Sequence, residues 1–274
     1  MKTKLSIICI IQILIVFASF VHSQNQTKNK LWNGKSCAIC LTYDDALTNH
    51  LDKVIPKLDS MNFKATFYIS CNSGTLNNRI EDWRKASKNG HELGNHTLFH
   101  PCIARMKNRD YSSWVAPEYD MNNYSIKRIV DEIKMANTLL KAIDGKNKRT
   151  IAYPCGDCTI RDTSYIPYII DSFVGGRNGE GAFLKLEDIN PYQINAFSIN
   201  DNYSSEKLIE MVNYAKNTGS LVVFLFHGVG GGHNSNVSLN KHNDLINHLK
   251  ANENDIWVAP LVDIADLAKS TQKK

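Results

Sequence analysis

The chain has 274 residues, 43% hydrophobic and 22% charged. That is enough for one large α/β domain or two small ones, and too apolar for wholesale disorder. Fifteen glycines without a period exclude collagen, and no repeat of about 20–50 residues points to a solenoid or propeller. A net charge of +5, spread along the chain without Lys/Arg runs, does not mark a nucleic-acid binder.

The N-terminus reads as a secretory signal over residues 1–23. Lys2 and Lys4 precede an almost wholly apolar Leu5–Val21, and Val21-His22-Ser23 ends in a small residue before Gln24-Asn25-Gln26-Thr27. An uncleaved anchor is the rival reading, although the stretch is slightly short for a span. Cys9 has no small residue before it, which weakens a lipoprotein reading. Cleavage leaves 30 basic and 27 acidic residues, a net charge of +3, and six cysteines. The expectation is a secreted or periplasmic protein with no integral membrane segment after cleavage. The even cysteine count permits disulfides.

Residues 24–34 are polar and read as a linker; residues 35–270 read as one domain. Ser36–Tyr43 is an apolar strand, Leu47–Met61 has helical spacing, and Ala65–Ser70 is a second strand. A helix over Ile80–Lys88 stops at Asn89-Gly90, and His91–Gly94 is a short strand. Residues 101–123, polar and aromatic with Pro101 and Pro117, form a long surface loop. An amphipathic helix spans Ser125–Leu140, followed by a strand at Ile151–Tyr153, a helix at Tyr165–Ile170 and a strand at Ser172–Val174. The remainder alternates again: strand Ala196–Ile199, helix Ser204–Lys216, strand Leu221–Phe226, helix Asn240–Leu249, strand Trp257–Ala259, helix Leu261–Lys269. Several strands are apolar throughout, as strands buried on both faces are, so the fold class is parallel α/β, a barrel or an open sheet. Cys37 and Cys40 form a CxxC pair, but in a strand they point to opposite faces, which disfavours a zinc ribbon.

Polar and ionisable residues gather where strands end: Thr42-Tyr43-Asp44-Asp45, Asn95-His96-Thr97-Leu98-Phe99-His100, Pro154-Cys155-Gly156-Asp157, Asn200-Asp201-Asn202-Tyr203 and His227-Gly228. In parallel α/β folds the active site assembles on that face. His96 and His100 are four apart, the spacing at which one helical turn brings two imidazoles to a shared metal. Two adjacent carboxylates at a buried strand end repel unless a cation neutralises one of them. A His/His/Asp set with an open position suits a catalytic metal.

These residues resemble the NodB-type polysaccharide deacetylases of carbohydrate esterase family 4. The resemblance rests on Thr42–Asp45, on His96–His100 with the lead-in from Gly90, and on Leu225-Phe226-His227 ending an apolar strand; it runs from about Lys35 to about Ala268. It implies a single distorted (β/α) barrel of seven or eight strands and an exported, metal-dependent deacetylase. Asp45, His96 and His100 would hold a divalent metal, most often zinc. Asp44 would be the general base, His227 the general acid, and the backbone N–H of Cys155 an oxyanion donor. The implied substrate is an acetylated polysaccharide or oligosaccharide: an N-acetylated glycan (chitin-like, peptidoglycan or poly-N-acetylglucosamine) first, O-acetylated xylan second. A catalytically inactive glycan-binding barrel is the alternative, because the third motif departs from the family. Ala152 stands where an arginine usually pairs with the catalytic aspartate; Arg177, Arg149 and Arg161 are candidates to replace it. Asp201 could orient His227, with Tyr203 beside it. Trp114, Tyr119 and Tyr153 could stack on sugar rings. His233 and His242 read as solvated, and a Cys102–Cys155 disulfide is the preferred pairing because both residues should border the site. Asn123-Tyr-Ser and Asn202-Tyr-Ser are formal glycosylation sequons.

Overall fold

The computed structural model describes residues 31–272. The signal-peptide reading lies outside the described residues, and among them no helix is long and apolar enough to cross a membrane. Eight strands form one parallel sheet: β1 (Cys37–Asp44), β2 (Thr66–Ile69), β3 (Glu92–Asn95), β4 (Thr150–Ala152), β5 (Gly175–Arg177), β6 (Phe197–Ile199), β7 (Leu221–Phe226) and β8 (Ile256–Val258). Their order is β6-β7-β1-β2-β3-β4-β5, with β8 pairing the first half of β1. The sheet curls into a distorted barrel. Between β5 and the approach to β6 the ladder is reduced to a single bridge, Arg177–Ile194.

Strand β1 is buried along its whole length because both faces pack. Cys37, Ile39, Leu41 and Tyr43 meet the outer helices through Leu51, Val54, Leu58, Trp83, Leu208 and Leu245. Ala38 and Cys40 point the other way, toward Val223, Leu225 and Ile264. The outer helices are α1 (Ile55–Ser60, entered by a π-helical turn at His50–Val54), α2 (Gly74–Asn78), α3 (Ile80–Lys88), α4 (Ile126–Asp144), α5 (Ser205–Thr218), α6 (Leu239–Ala251) and α7 (Leu261–Gln272). Ser73, Ser125, Ser204 and Ser238 cap the starts of α2, α4, α5 and α6 by accepting a backbone N–H. Gly145 and Gly219, left-handed at φ 73° and 67°, stop α4 and α5.

Three expectations need correction. No α-helix forms over residues 165–170; the segment makes two 3-10 turns, Ile166–Tyr168 and Ile170–Ser172, closed by Ile169 N–H to Ile166 O and Phe173 N–H to Ile170 O. The strand expected at 172–174 is β5, three residues later, while Phe173 packs into the core instead. Its Gly175 and Gly176 leave room for close neighbours: a Cβ on Gly175 would sit 2.6 Å from the Pro191 carbonyl, and one on Gly176 would strike the Tyr153 hydroxyl. The supposed linker is not free to its end, since Trp32 is buried and its indole N–H donates to Gly219 O at 3.0 Å.

Candidate active site

All strands run the same way, so the ends of β1, β3, β4, β5, β6 and β7 share one face. Asp44 is the last residue of β1. Asp45 and Ala46 then turn the chain through the left-handed region, φ 75° and 52°. His96 follows β3. The expected helical turn from His96 to His100 does not exist: Thr97 and His100 are themselves left-handed, φ 66° and 53°. Asn95 accepts the Thr97 N–H at 2.7 Å and Thr97 Oγ1 accepts the His100 N–H at 3.0 Å, and this loop brings the two rings to 4.6 Å between centroids. Residues in this backbone region cost about 1–2 kcal/mol each when not glycine, and five of them crowd one site here, Cys155 being the fifth at φ 56°.

One carboxylate and two imidazoles converge. Asp45 Oδ1 lies 3.6 Å from His96 Nε2 and 3.5 Å from His100 Nε2. Among the described residues these three offer donor atoms within 4.8 Å of one another. His96 Nδ1–H donates to Ala152 O at 2.8 Å, which leaves the Nε2 lone pair facing Asp45. Burial pushes the His96 imidazolium down to about 4, so the ring is neutral at pH 7. The donor set therefore fits a divalent metal with positions left open.

Asp44 is buried, and Arg177 from the end of β5 donates to its Oδ2 at 2.6 Å. Burial raises the Asp44 carboxyl, but Arg177, helped by His96 and His227, outweighs it and holds the group below the usual carboxylate range. Ala152 and Arg177 are register partners on β4 and β5, so the guanidinium arrives from the strand next to the motif position. Arg149 is elsewhere, paired with Asp144 at 3.1 Å. Arg161 is absent from the cleft around Asp44. The other Asp44 oxygen, Oδ1, is buried and takes no hydrogen bond from any described residue.

His227 follows β7, with Nε2 4.0 Å from Asp45 Oδ2. Burial lowers its imidazolium against the pull of Asp44 and Asp45. Asp201 does not orient it. The Asp201 carboxylate lies on the exposed rim, accepting from Ser238 N at 2.8 Å and Lys241 Nζ at 3.2 Å. His227 instead stacks on His233, 4.7 Å between centroids and 15° from parallel. Contrary to expectation His242 is fully buried, bonded to the Tyr43 hydroxyl at 2.8 Å.

A group the sequence did not flag holds the His227 loop. His50 accepts the Leu47 N–H on Nδ1 at 3.2 Å and donates from Nε2 to His227 O at 2.8 Å, which fixes its tautomer. Asn49 donates to Val229 O and Gly230 O at 3.1 and 3.2 Å, and Lys53 to Gly230 O at 2.6 Å. The available signal was their proximity to Asp45 in sequence. Nothing in their spacing marked them.

Opposite stands the Pro154–Gly156 turn. Cys155 is joined by a disulfide to Cys102, two residues beyond His100. The neighbouring N–H groups of Gly156 and Asp157 bond back to Tyr153 O and Pro154 O at 2.9 Å each, whereas that of Cys155 meets no carbonyl among the described residues. The cleft these groups line measures about 820 Å³ and is walled by Tyr111, Trp114 and Tyr153. Tyr119 lies away from it, stacked on Phe99 at 5.4 Å.

Residues 33–165 match the profile of the polysaccharide deacetylase family. A sequence relative, the uncharacterized protein YlxY of Bacillus subtilis, is 28% identical over 81 residues, 30% of this chain and 24% of that protein, so the chain spans about a quarter of it. Three solved structures share the fold. A provisionally named polysaccharide deacetylase from Mycobacterium smegmatis superposes with a TM-score of 0.60 at 13% identity, covering 87% of this chain and 92% of that one. The peptidoglycan deacetylase PdaC of B. subtilis gives 0.53 at 15% identity, covering 86% and 93%. BA3943 of Bacillus anthracis, a family 4 pseudoenzyme, gives 0.51 at 17% identity, covering 84% and 66%. With the Asp-Asp, His-x-x-x-His and Leu-x-His segments meeting on one strand-end face of this barrel, residues 33–165 match a polysaccharide deacetylase domain and the chain shares the fold of these family 4 structures.

Proposed function

We propose that the protein is an exported, metal-dependent hydrolase that removes N-acetyl groups from a polysaccharide. The observation that carries this reading is the buried, unpartnered Oδ1 of an ionised Asp44 beside the Asp45/His96/His100 set. A divalent metal held by those three residues, zinc first, would act as a Lewis acid and lower the pKa of water toward about 7. The chain supplies the remainder. Asp44, kept anionic by Arg177, takes the proton of the attacking water on Oδ1. The Cys155 N–H faces the carbonyl oxygen as it gains negative charge. His227, across Asp45, delivers a proton to the departing nitrogen. Trp114, with 55% of its surface exposed on the cleft wall, offers its indole face to a sugar ring.

Export follows from the leader read in residues 1–23. The inactive-barrel alternative drew on Ala152, and Arg177 at 2.6 Å from Asp44 removes that motive. Acetate release from N-acetylated chitooligosaccharides and peptidoglycan fragments, with O-acetylated xylan as the ester arm, tests the reading. Release that stops with chelator, returns with zinc and is lost in Asp44→Asn supports it. Release from xylan alone transfers the assignment to an esterase. No release from any arm refutes it.

A further inference from the structure

Resting on that reading, the Cys155 N–H has to be aimed at the acetyl carbonyl oxygen. Cys155 adopts φ 56°, ψ 10°, and Gly156 follows at φ 76°. A non-glycine residue pays about 1–2 kcal/mol for that conformation, so a free turn here would relax out of it. Two ties prevent this, and both come from the 101–123 loop. The Cys102–Cys155 disulfide anchors the Cys155 Cβ, with the Cα atoms 5.8 Å apart. Arg109 donates to the Cys155 carbonyl at 3.1 Å, to Ile103 O at 3.1 Å and to Asp157 Oδ2 at 2.5 Å, and Asp157 in turn accepts the Ile103 N–H at 2.7 Å. Arg109 is mostly buried and packs over the Tyr111 ring at 4.6 Å. With Cβ held by sulfur and the carbonyl held by a guanidinium, Cα and its nitrogen are fixed in place, and the Gly156 N–H bond to Tyr153 O at 2.9 Å restrains rotation about N–Cα, so the N–H keeps its direction.

We propose that the Cys102–Cys155 disulfide and Arg109 form a positioning clamp that aims the Cys155 N–H at the developing oxyanion, so that full turnover requires the disulfide to be closed. Opening it with a trialkylphosphine and water breaks the S–S bond, yields two thiols and oxidises the phosphine to its oxide. Glutathione disulfide takes the two electrons back and recloses it.

The test uses the zinc-loaded mature protein, Cys102→Ala/Cys155→Ala, Arg109→Ala and Arg109→Lys. Loss of one oxyanion donor costs about 10²–10³ in kcat, and a misaimed donor loses part of that. The double cysteine variant should lose about 10- to 100-fold in kcat with KM within about twofold. Its zinc affinity, by calorimetric titration, should match the wild type, and its fold should hold at the assay temperature. Arg109→Ala should behave alike and Arg109→Lys recover part of the loss. Phosphine treatment should slow the wild type but leave the double variant unchanged, which separates reduction from metal stripping; glutathione disulfide should restore the wild type. A double variant with wild-type kcat overturns the clamp alone, as does a kcat loss matched by lost zinc affinity, which would place the effect on His100. Wild-type protein releasing no acetate overturns the hydrolase reading, and the clamp falls with it.

Discussion

The buried Asp44–Arg177 pair gives the sharpest prediction. Both side chains are at most 4% exposed and the contact is 2.6 Å. Breaking such a pair from one side leaves an uncompensated charge, at a cost of about 3–5 kcal/mol. Asp44 can escape part of that cost by taking a proton. With about 1.4 kcal/mol per tenfold change in the protonation equilibrium, its pKa should climb by about two to three pH units in Arg177→Ala. The sign follows from the wild type: Asp44 titrates below its ordinary value, so the stability it contributes is present above that value and lost on acidification. In the variant the acidic limb of the rate profile therefore moves to higher pH, and turnover at pH 6 falls steeply while turnover at pH 9 recovers. Melting temperature should drop by about 10 °C, at roughly 2–4 °C per kcal/mol for a domain this size. The double variant Asp44→Asn/Arg177→Met removes both charges and should be more stable than the sum of the two singles, a coupling of several kcal/mol. Acetate release measured from pH 5 to 9, with calorimetry on all five proteins, is the assay. An Arg177→Ala protein with the wild-type acidic limb and melting temperature would refute the claim that this guanidinium has taken over the role implied for position 152.

Three further outcomes are expected. His50→Ala strips the donor from His227 O, leaving a buried carbonyl unpaired at about 1–3 kcal/mol; kcat should fall about tenfold with KM within twofold, and unchanged kcat would exclude His50 from positioning the acid. Acid should destabilise the fold before the carboxylates titrate, because burial pushes His50, His91 and His242 to about 4. Their stabilisation is complete above about pH 6.5 and lost toward pH 4, about 3 kcal/mol each; a melting temperature flat between pH 7 and 5 would contradict this. Ala46→Gly relieves a left-handed residue at φ 52°. The gain of about 1–2 kcal/mol exceeds the added chain entropy of about 0.4–1 kcal/mol, so melting should rise slightly with activity kept; a loss above about 1 kcal/mol in denaturant would show that the Ala46 methyl packs better than its backbone suffers.

Where burial and period agree, the sequence is legible. Leu221–Phe226 is continuous hydrophobe and is a strand with those ends; Ile80–Lys88 carries a polar face and a Gly90 stop and is a helix with those ends. Residues 165–177 are illegible for a physical reason: the apolar Tyr165–Ile170 run imitates a helix yet closes only 3-10 turns, and the Gly175-Gly176 pair reads as a break when the glycines are there to admit Pro191 and Tyr153. The site divides along the same line. Asp44, Asp45, His96, His100 and His227 announce themselves at strand ends. His50, Asn49 and Lys53 act through backbone carbonyls 177–181 residues away, a contact no local pattern encodes. Asp201 failed because a loop aspartate beside Ser238 and Lys241 has better partners than a buried imidazole.

The relocated arginine shows why motif absence is weak evidence in a parallel sheet. At strand ends, neighbouring positions in register lie about 5 Å apart, and an arginine side chain is longer than that. A cation needed at Asp44 can therefore come from β4 or from its neighbour β5 with little change in the charge Asp44 feels, provided the position given up is filled by something small. Ala152 and Arg177 meet that condition: they are paired across the ladder, Ala152 is fully buried, and its carbonyl still serves His96 Nδ1. The exchange has a structural consequence. The guanidinium crosses the Tyr68 ring at 5.0 Å, so Tyr68 and the Gly94 that gives it room become part of what holds Arg177 against Asp44. A Cβ on Gly94 would sit 2.5 Å from that ring, which ties a glycine two residues before His96 to the electrostatics of Asp44.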